Sequence, residues 1–164
     1  HLERDKFAFL TIGSDRLIPV AAPQLRLNAS TRPAAGILDE AGTATLALPY
    51  LDYGYSSFFG VALGRLFSKR VPFRRQTVHE NSISAGLKEL ALTGAGICWL
   101  PESLVANEIA SGALVACSSD PAWTLDLQIR LYRSLEKTSD TMVEAIWKSS
   151  GALRSGPADP VEKA

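Results

Sequence analysis

The chain has 164 residues, of which 46% are apolar and 21% charged, with 17 basic residues against 17 acidic ones. This is long enough for one domain, or for one complete lobe with pieces of another, and too apolar for a disordered chain. The zero formal net charge gives no electrostatic ground for nucleic acid or an anionic membrane as a partner, and no run nears the roughly 18–20 apolar residues a membrane helix needs.

The opening "FAFLTIGSDRLIPVAAP" reads as two extended segments around a polar turn at Gly13, Ser14 and Asp15. From Gln24 to Gly42 the composition shifts to Asn, Ser, Thr, Pro and Gly, which predicts a surface excursion with little regular structure. "TATLALP" then predicts a buried strand. Ser56 to Ser68 predicts a helix, with Phe59, Leu63, Leu66 and Phe67 at helical spacing and Ser56 or Ser57 as N-cap. "FRRQTVH" is short and extended. Ser82 to Thr93 predicts an amphipathic helix with Ile83, Leu87, Leu90 and Ala91 on its apolar face.

Ala95 to Leu100 predicts a fully buried strand. Pro101 suits the first position of a further helix with Leu104, Val105 and Ile109 inward, and Gly112 is its natural stop. "ALVAC" follows as a strand. Strands and helices that alternate with short joints predict a parallel sheet covered by helices. "LDLQIRLY" alternates strictly, so it predicts a strand buried on one face. Thr138 to Ser150 predicts a last helix with Met142, Val143, Ile146 and Trp147 on its apolar side, stopped by Gly151, and the tail after it carries no core face.

Cys98 and Cys117 stand in apolar runs, which predicts buried free thiols rather than a disulfide scaffold or a zinc site. The histidines are far apart and no carboxylate–histidine pair has ligand spacing, so neither metal nor cofactor is expected. Gly94-Ala95-Gly96 invites a phosphate-loop assignment. A helix ends there and a strand begins, however, which points the negative end of the helix dipole at the site, so a glycine C-cap is expected instead. Ser56, Ser57, Ser82 and Ser84 lie near helix starts, but no placed base accompanies them. His79 and Glu80 are adjacent on an extended segment and face opposite ways. An enzyme is therefore not expected.

Binding is better supported. "YSSFF" (Tyr55 to Phe59) and "ENS" (Glu80 to Ser82) open two helices that follow parallel strands, at the edge where α/β sheets bind ligands. Unpaired N–H groups at helix starts favour carboxylates and other anions. The plainer alternative is that these serines and Asn81 only cap their own helices.

The passages "IGSDRLIPVAAP", "YSSFFGVALGRLF" and "VHENSISAGLKELALTGAGICWLPESLVANEIASGALV" resemble the effector-binding region of LysR-type transcriptional regulators. The most specific part is "AGLKELALTGAGICWLPESL", followed by Gly112 to Val115. The resemblance spans roughly residues 7 to 150. It implies an α/β, periplasmic-binding-protein-like lobe with a mostly parallel sheet flanked by helices, joined to the return strand and helix of an incomplete first lobe. On that basis residues 1–19 hold a crossing strand, 20–123 form the second lobe, 124–150 return to the first lobe, and 151–164 are a disordered tail.

The family's effector sits between two lobes. The matching wall here comprises Ser56, Ser57, Phe58 and Phe59 at one helix start, Asn81 and Ser82 at the other, and Leu125 from the crossing strand. The resemblance further implies a cytoplasmic regulator that assembles as a dimer or tetramer and has no membrane partner. DNA would be bound only through an N-terminal winged helix-turn-helix expected upstream of His1. A lobe of a transport solute-binding protein and, more remotely, a small α/β enzyme are the alternatives.

Overall fold

The computed structural model of the chain describes residues 6–27, 30–40, 47–69, 74–135 and 141–151. Contacts divide it into two units, His1–Asp15 with Leu127–Ala164, and Arg16–Asp126.

The second unit holds the core. It contains the end of strand β1 (Phe7–Ala21), a hairpin of β2 (Gln24–Leu27) and β3 (Ser30–Pro33), and β4 (Leu48–Asp52). Helix α1 (Phe58–Ser68), β5 (Arg75–Glu80), α2 (Ser84–Leu92), β6 (Cys98–Pro101), α3 (Glu102–Ser111) and β7 (Val115–Ala116) follow. Strands β4 and β5 pair in parallel, and Tyr50 makes a parallel bridge to Ile97 just before β6. The long β1 adds antiparallel pairings, Leu17 to Val20 against Pro101 to Cys98 on β6, and Val20 and Ala21 against Ala116 and Val115 on β7. The fold is α/β, as the alternation of strands and helices predicts.

Several local expectations change. The Gly13-Ser14-Asp15 turn does not form, and β1 runs unbroken through fifteen residues. Gly13 lies beside Ile129, whose Cδ1 would be 3.5 Å from an added Cβ, an ordinary van der Waals contact, and makes no turn. The excursion after Gln24 contains the antiparallel β2–β3 hairpin, and Leu25, Ala34, Ile37 and Leu38 are buried in and after it. The "TATLALP" strand begins only at Leu48 and runs on to Asp52, while residues 43–46 of that run lie outside the described residues. Pro101 closes β6 and precedes α3 rather than opening it.

The apolar faces of the helices account for much of the cohesion. Leu63 and Phe67 of α1 and Leu87 and Ala91 of α2 are buried, each large side chain contributing about 1.5–3 kcal/mol. Ile83, by contrast, stands 64% exposed just before α2. Trp99 is fully buried against the rings of Tyr50, Phe67 and Trp123, at centroid distances of 6.0, 4.8 and 6.3 Å. Its indole N–H donates to the Trp123 carbonyl at 2.6 Å. The Arg75 guanidinium caps this cluster, 4.7 Å from the Phe67 ring centroid.

The glycine passage is a seam. Gly94 takes a left-handed φ of 77° after α2, and its carbonyl accepts from the Arg26 N–H. Gly96 permits a close approach: an added Cβ would lie 2.9 Å from the Pro49 carbonyl oxygen and 3.1 Å from Leu51 Cγ. That approach lets Ile97 exchange backbone hydrogen bonds with Pro49 and Leu51 at 2.8 and 2.9 Å.

Both cysteines are free and buried, and burial pushes both thiols well above their ordinary pKa. Thiolates are the reactive species, so the folded chain should react with N-ethylmaleimide only as fast as it opens. Rapid modification of either thiol without denaturant would contradict this placement.

In the first unit, β1 pairs with β8 (Leu125–Ser134), and helix α4 spans Thr141–Gly151. Phe9 packs on Tyr132 with centroids 5.7 Å apart, and the Arg130 guanidinium lies 4.7 Å from the Phe9 ring centroid. Arg133 bonds Glu144 at 2.5 Å and lies 4.6 Å from the Trp147 ring, which ties α4 to β8. The expected one-sided burial of β8 is only partial: Leu125, Leu127 and Leu131 are half-buried and Ile129 is exposed. Met142, Val143 and Ile146 of α4 are exposed as well, and Gly151 falls inside the helix. The expected tail, from residue 152 onward, lies outside the described residues.

Candidate functional site

The carboxyl ends of β4 and β5 lie side by side, with Asp52 in register with Glu80. Chain direction then requires that α1 and α2 both begin at this edge. The Asn81 N–H donates to the Asp52 carbonyl at 2.9 Å and locks the two strand ends together.

Ser57 is the N-cap of α1. Its hydroxyl accepts from the Gly60 N–H at 2.9 Å and donates to the Gly54 carbonyl at 3.0 Å. Those two bonds commit the hydroxyl proton, so Ser57 shapes the turn rather than offering a donor to a ligand. Replacing Ser57 by alanine should cost about 1 kcal/mol of stability, read as a lower urea midpoint at unchanged m-value. An unchanged midpoint would remove the capping assignment.

The turn itself depends on glycine. Gly54 adopts φ 80° with the Glu80 carboxylate packed over it, 2.7 Å from where a Cβ would sit. Gly60 passes so close to Gly54 that an added Cβ would fall 1.9 Å from the Gly54 carbonyl oxygen. Asp52 Oδ1 accepts from the Gly54 N–H at 3.0 Å and closes the same turn.

At the second helix start, Asn81 Oδ1 accepts from the Ile83 N–H at 2.9 Å, one step before α2. Asn81 Nδ2 lies over Gly86, 2.3 Å from where a Cβ would be. Asn81 is therefore also engaged in local structure. The first-turn amides of both helices, Phe58 and Phe59 on α1 and Ser84, Ala85 and Gly86 on α2, have no carbonyl behind them to bond.

Ser56, Phe58 and Ser82 are exposed, Phe58 to 78%, while Phe59 is half-buried against Tyr53 with ring centroids 5.1 Å apart. Leu125 opens β8 and is half-buried; among the described residues no hydrogen bond or ring contact ties it to either helix start. His79 and Glu80 lie exposed on β5, with no serine hydroxyl bonded to His79 among the described residues.

Tyr53 and Asp52 escape a reading of the sequence, while Glu80 belongs to the "ENS" cluster it singles out. Tyr53 is buried, and its hydroxyl meets Ser84 Oγ at 2.8 Å; Asp52 and Glu80 set the electrostatics of the edge. The signal available for Tyr53 and Gly54 is the string "DYGYSS", a glycine flanked by tyrosines directly after an apolar run, where a strand must turn sharply into a helix.

The model of the LysR substrate binding domain matches residues 1–151 of this fold. The chain belongs to that family. Over 115 residues it is 32% identical to the HTH domain-truncated transcriptional regulator QseD of Escherichia coli O157:H7, covering 67% of this chain and 47% of that protein. It has the same identity to the HTH-type transcriptional regulator YjiE of Escherichia coli K12, covering 67% of this chain and 37% of the relative. The chain thus spans half or less of the length of these curated relatives. The regulatory domain of HypT from Salmonella typhimurium in its apo form superposes with a TM-score of 0.75 at 26% identity, covering 93% of this chain and 67% of that one. The bromide-bound form of that domain superposes with a TM-score of 0.74 at the same identity, covering 93% of this chain and 66% of the other.

Proposed function

We propose that the chain is the effector-sensing part of a LysR-type DNA-binding transcriptional regulator, and that a small monoanion binds at the starts of α1 and α2. Two helix starts on one parallel-strand edge, both with unpaired first-turn amides, support this most directly. The bromide-bound state of the HypT regulatory domain and the description of full-length HypT as hypochlorite-specific lend support from relatives.

The roles within the site divide. Ser57 and Asn81 hold the two turns; the exposed Ser56 and Ser82 hydroxyls and the α1 amides meet the ligand; Phe58 and Phe59 give it an apolar wall. Leu125 contributes from the strand that returns to the first lobe. Residues 16–126 serve as the second lobe, β1 and β8 as the crossing strands, and α4 as part of the first lobe. The chain performs no chemistry. Effector affinity that differs between two arrangements of the regulator would alter its oligomer and its grip on DNA, through a winged helix-turn-helix encoded upstream. Such a regulator works in the cytoplasm, and among the described residues no helix is long and apolar enough to cross a membrane.

Asp52 and Glu80 limit the charge the edge accepts. Single negative charges at the α1 amides are offset by the helix dipole, whereas a second would meet these carboxylates. A thermal-shift panel should therefore show stabilisation by acetate, bromide and other monoanions, with less from dicarboxylates and none from matched cations. Stabilisation by cations or neutral compounds alone would overturn the proposal. A coding sequence without a winged helix-turn-helix upstream of His1 would overturn its regulatory half.

A further inference from the structure

We infer that Tyr53 is a positioning residue that couples the two helix starts, so that a ligand touching α1 also resets α2; the inference rests on the site proposed above. Tyr53 follows β4 directly and is only 2% exposed, so its ring is held on all sides. On the α1 side the ring packs edge-on against Phe59, at 64° and 5.1 Å. Phe59 in turn packs on the exposed Phe58 at 5.6 Å. On the α2 side the Tyr53 hydroxyl meets Ser84 Oγ at 2.8 Å, at the first residue of that helix.

A contiguous path thus runs from solvent-facing Phe58 through Phe59 and Tyr53 to Ser84. Each link is short and the middle of the path is buried, so Phe59 cannot shift without displacing the Tyr53 ring, and the hydroxyl must follow. Burial holds the phenol pKa near 12, so the hydroxyl keeps its proton at neutral pH and stays available to Ser84. The Asn81 N–H bond to the Asp52 carbonyl, in the peptide group that leads into Tyr53, fixes the strand ends beside the path.

The coupling is tested on the whole 164-residue chain, labelled with nitrogen-15, together with Tyr53→Phe, Ser84→Ala and Phe59→Leu. Tyr53→Phe keeps the ring and removes only the hydroxyl, so it preserves the packing that folding needs. Without ligand, Ser84→Ala should shift the amide resonances of Phe58 to Gly60, and Phe59→Leu those of Ser84 to Leu87. Both long-range shifts should vanish when the same changes are made together with Tyr53→Phe, and Ser84→Thr should restore them. Long-range shifts that persist alongside Tyr53→Phe, or that never occur, would overturn the inference.

Sodium bromide and sodium acetate supply the second arm. Tyr53→Phe should weaken both by at least about threefold, the scale of one hydrogen bond. Combining Ser84→Ala with it should cost nothing further, because both remove the same link. Unchanged affinity in Tyr53→Phe would contradict the coupling. If the unaltered chain binds neither probe, the proposed site fails, and the ligand-free arm alone then decides whether Tyr53 couples the helices.

Discussion

Replacing Gly60 by alanine is expected to lower the stability of the chain by about 2–4 kcal/mol. An added Cβ would lie 1.9 Å from the Gly54 carbonyl oxygen, 2.8 Å from the Gly54 carbonyl carbon and 3.0 Å from Ser57 Oγ. The first two contacts are with backbone, which cannot rotate away as a side chain can. Relief requires the start of α1 to retreat from the β4–α1 turn, and that breaks the Ser57 cap and both of its hydrogen bonds. Overpacking costs about 1–3 kcal/mol and loss of the cap about 1 kcal/mol more. Together these reach about 2–4 kcal/mol, a large part of the roughly 5–15 kcal/mol that holds a typical domain together. Chemical denaturation of Gly60→Ala beside Gly64→Ala checks it. Gly64 has nothing within 4 Å of an added Cβ, so the second change should be neutral or stabilising. Equal stability of the two variants would mean that the close approach at Gly60 does not exist.

The second large effect belongs to Trp99. Substitution by alanine would empty the centre of the Tyr50, Phe67 and Trp123 cluster and should cost about 3–5 kcal/mol. Trp99→Phe separates two contributions. It retains most of the aromatic packing but leaves the buried Trp123 carbonyl without its donor, a loss of about 1–3 kcal/mol. The three proteins should therefore rank wild type, Trp99→Phe, Trp99→Ala in denaturation midpoint. A phenylalanine variant as stable as wild type would show that the indole hydrogen bond contributes nothing.

These two positions also illustrate what the amino-acid order reveals. Helices α1 and α2 were legible because their apolar spacing follows a 3.6-residue period and their ends carry Ser57 and Gly94. The buried strand around Trp99 was legible as a short apolar run between glycine and proline. The β2–β3 hairpin was not, because Asn, Ser, Thr and Pro in that stretch signal irregular chain. Antiparallel pairing of Leu25 with Arg32 and of Arg26 with Thr31, and the burial of Leu25, override that local signal. Gly13 misled for a related reason: a glycine inside the long strand β1 looks, one-dimensionally, like a glycine demanded by a turn.

The candidate site divides along the same line. Its helix starts could be read from "YSSFF" and "ENS", yet the consequence for Ser57 could not. A capping hydroxyl and a ligand-binding hydroxyl have the same letter, and only the approach of Gly54 to Gly60 shows that this one is already engaged. Tyr53 was passed over because its role is to join two segments more than thirty positions apart, a relation that local periodicity does not encode. The exposed apolar face of α4, with Met142, Val143 and Ile146, differs in another way. Its helical period is plain in the sequence, while its burial depends on what packs against it.

Anion binding at the starts of α1 and α2 is the claim on which the proposed function stands, and bromide tests it most directly. Crystals of the chain soaked in sodium bromide should give an anomalous peak within hydrogen-bonding distance of the Phe58 and Phe59 amides, beside the Ser56 hydroxyl and the start of α2. Peaks confined to surface lysines and arginines, with none at this edge, would contradict it.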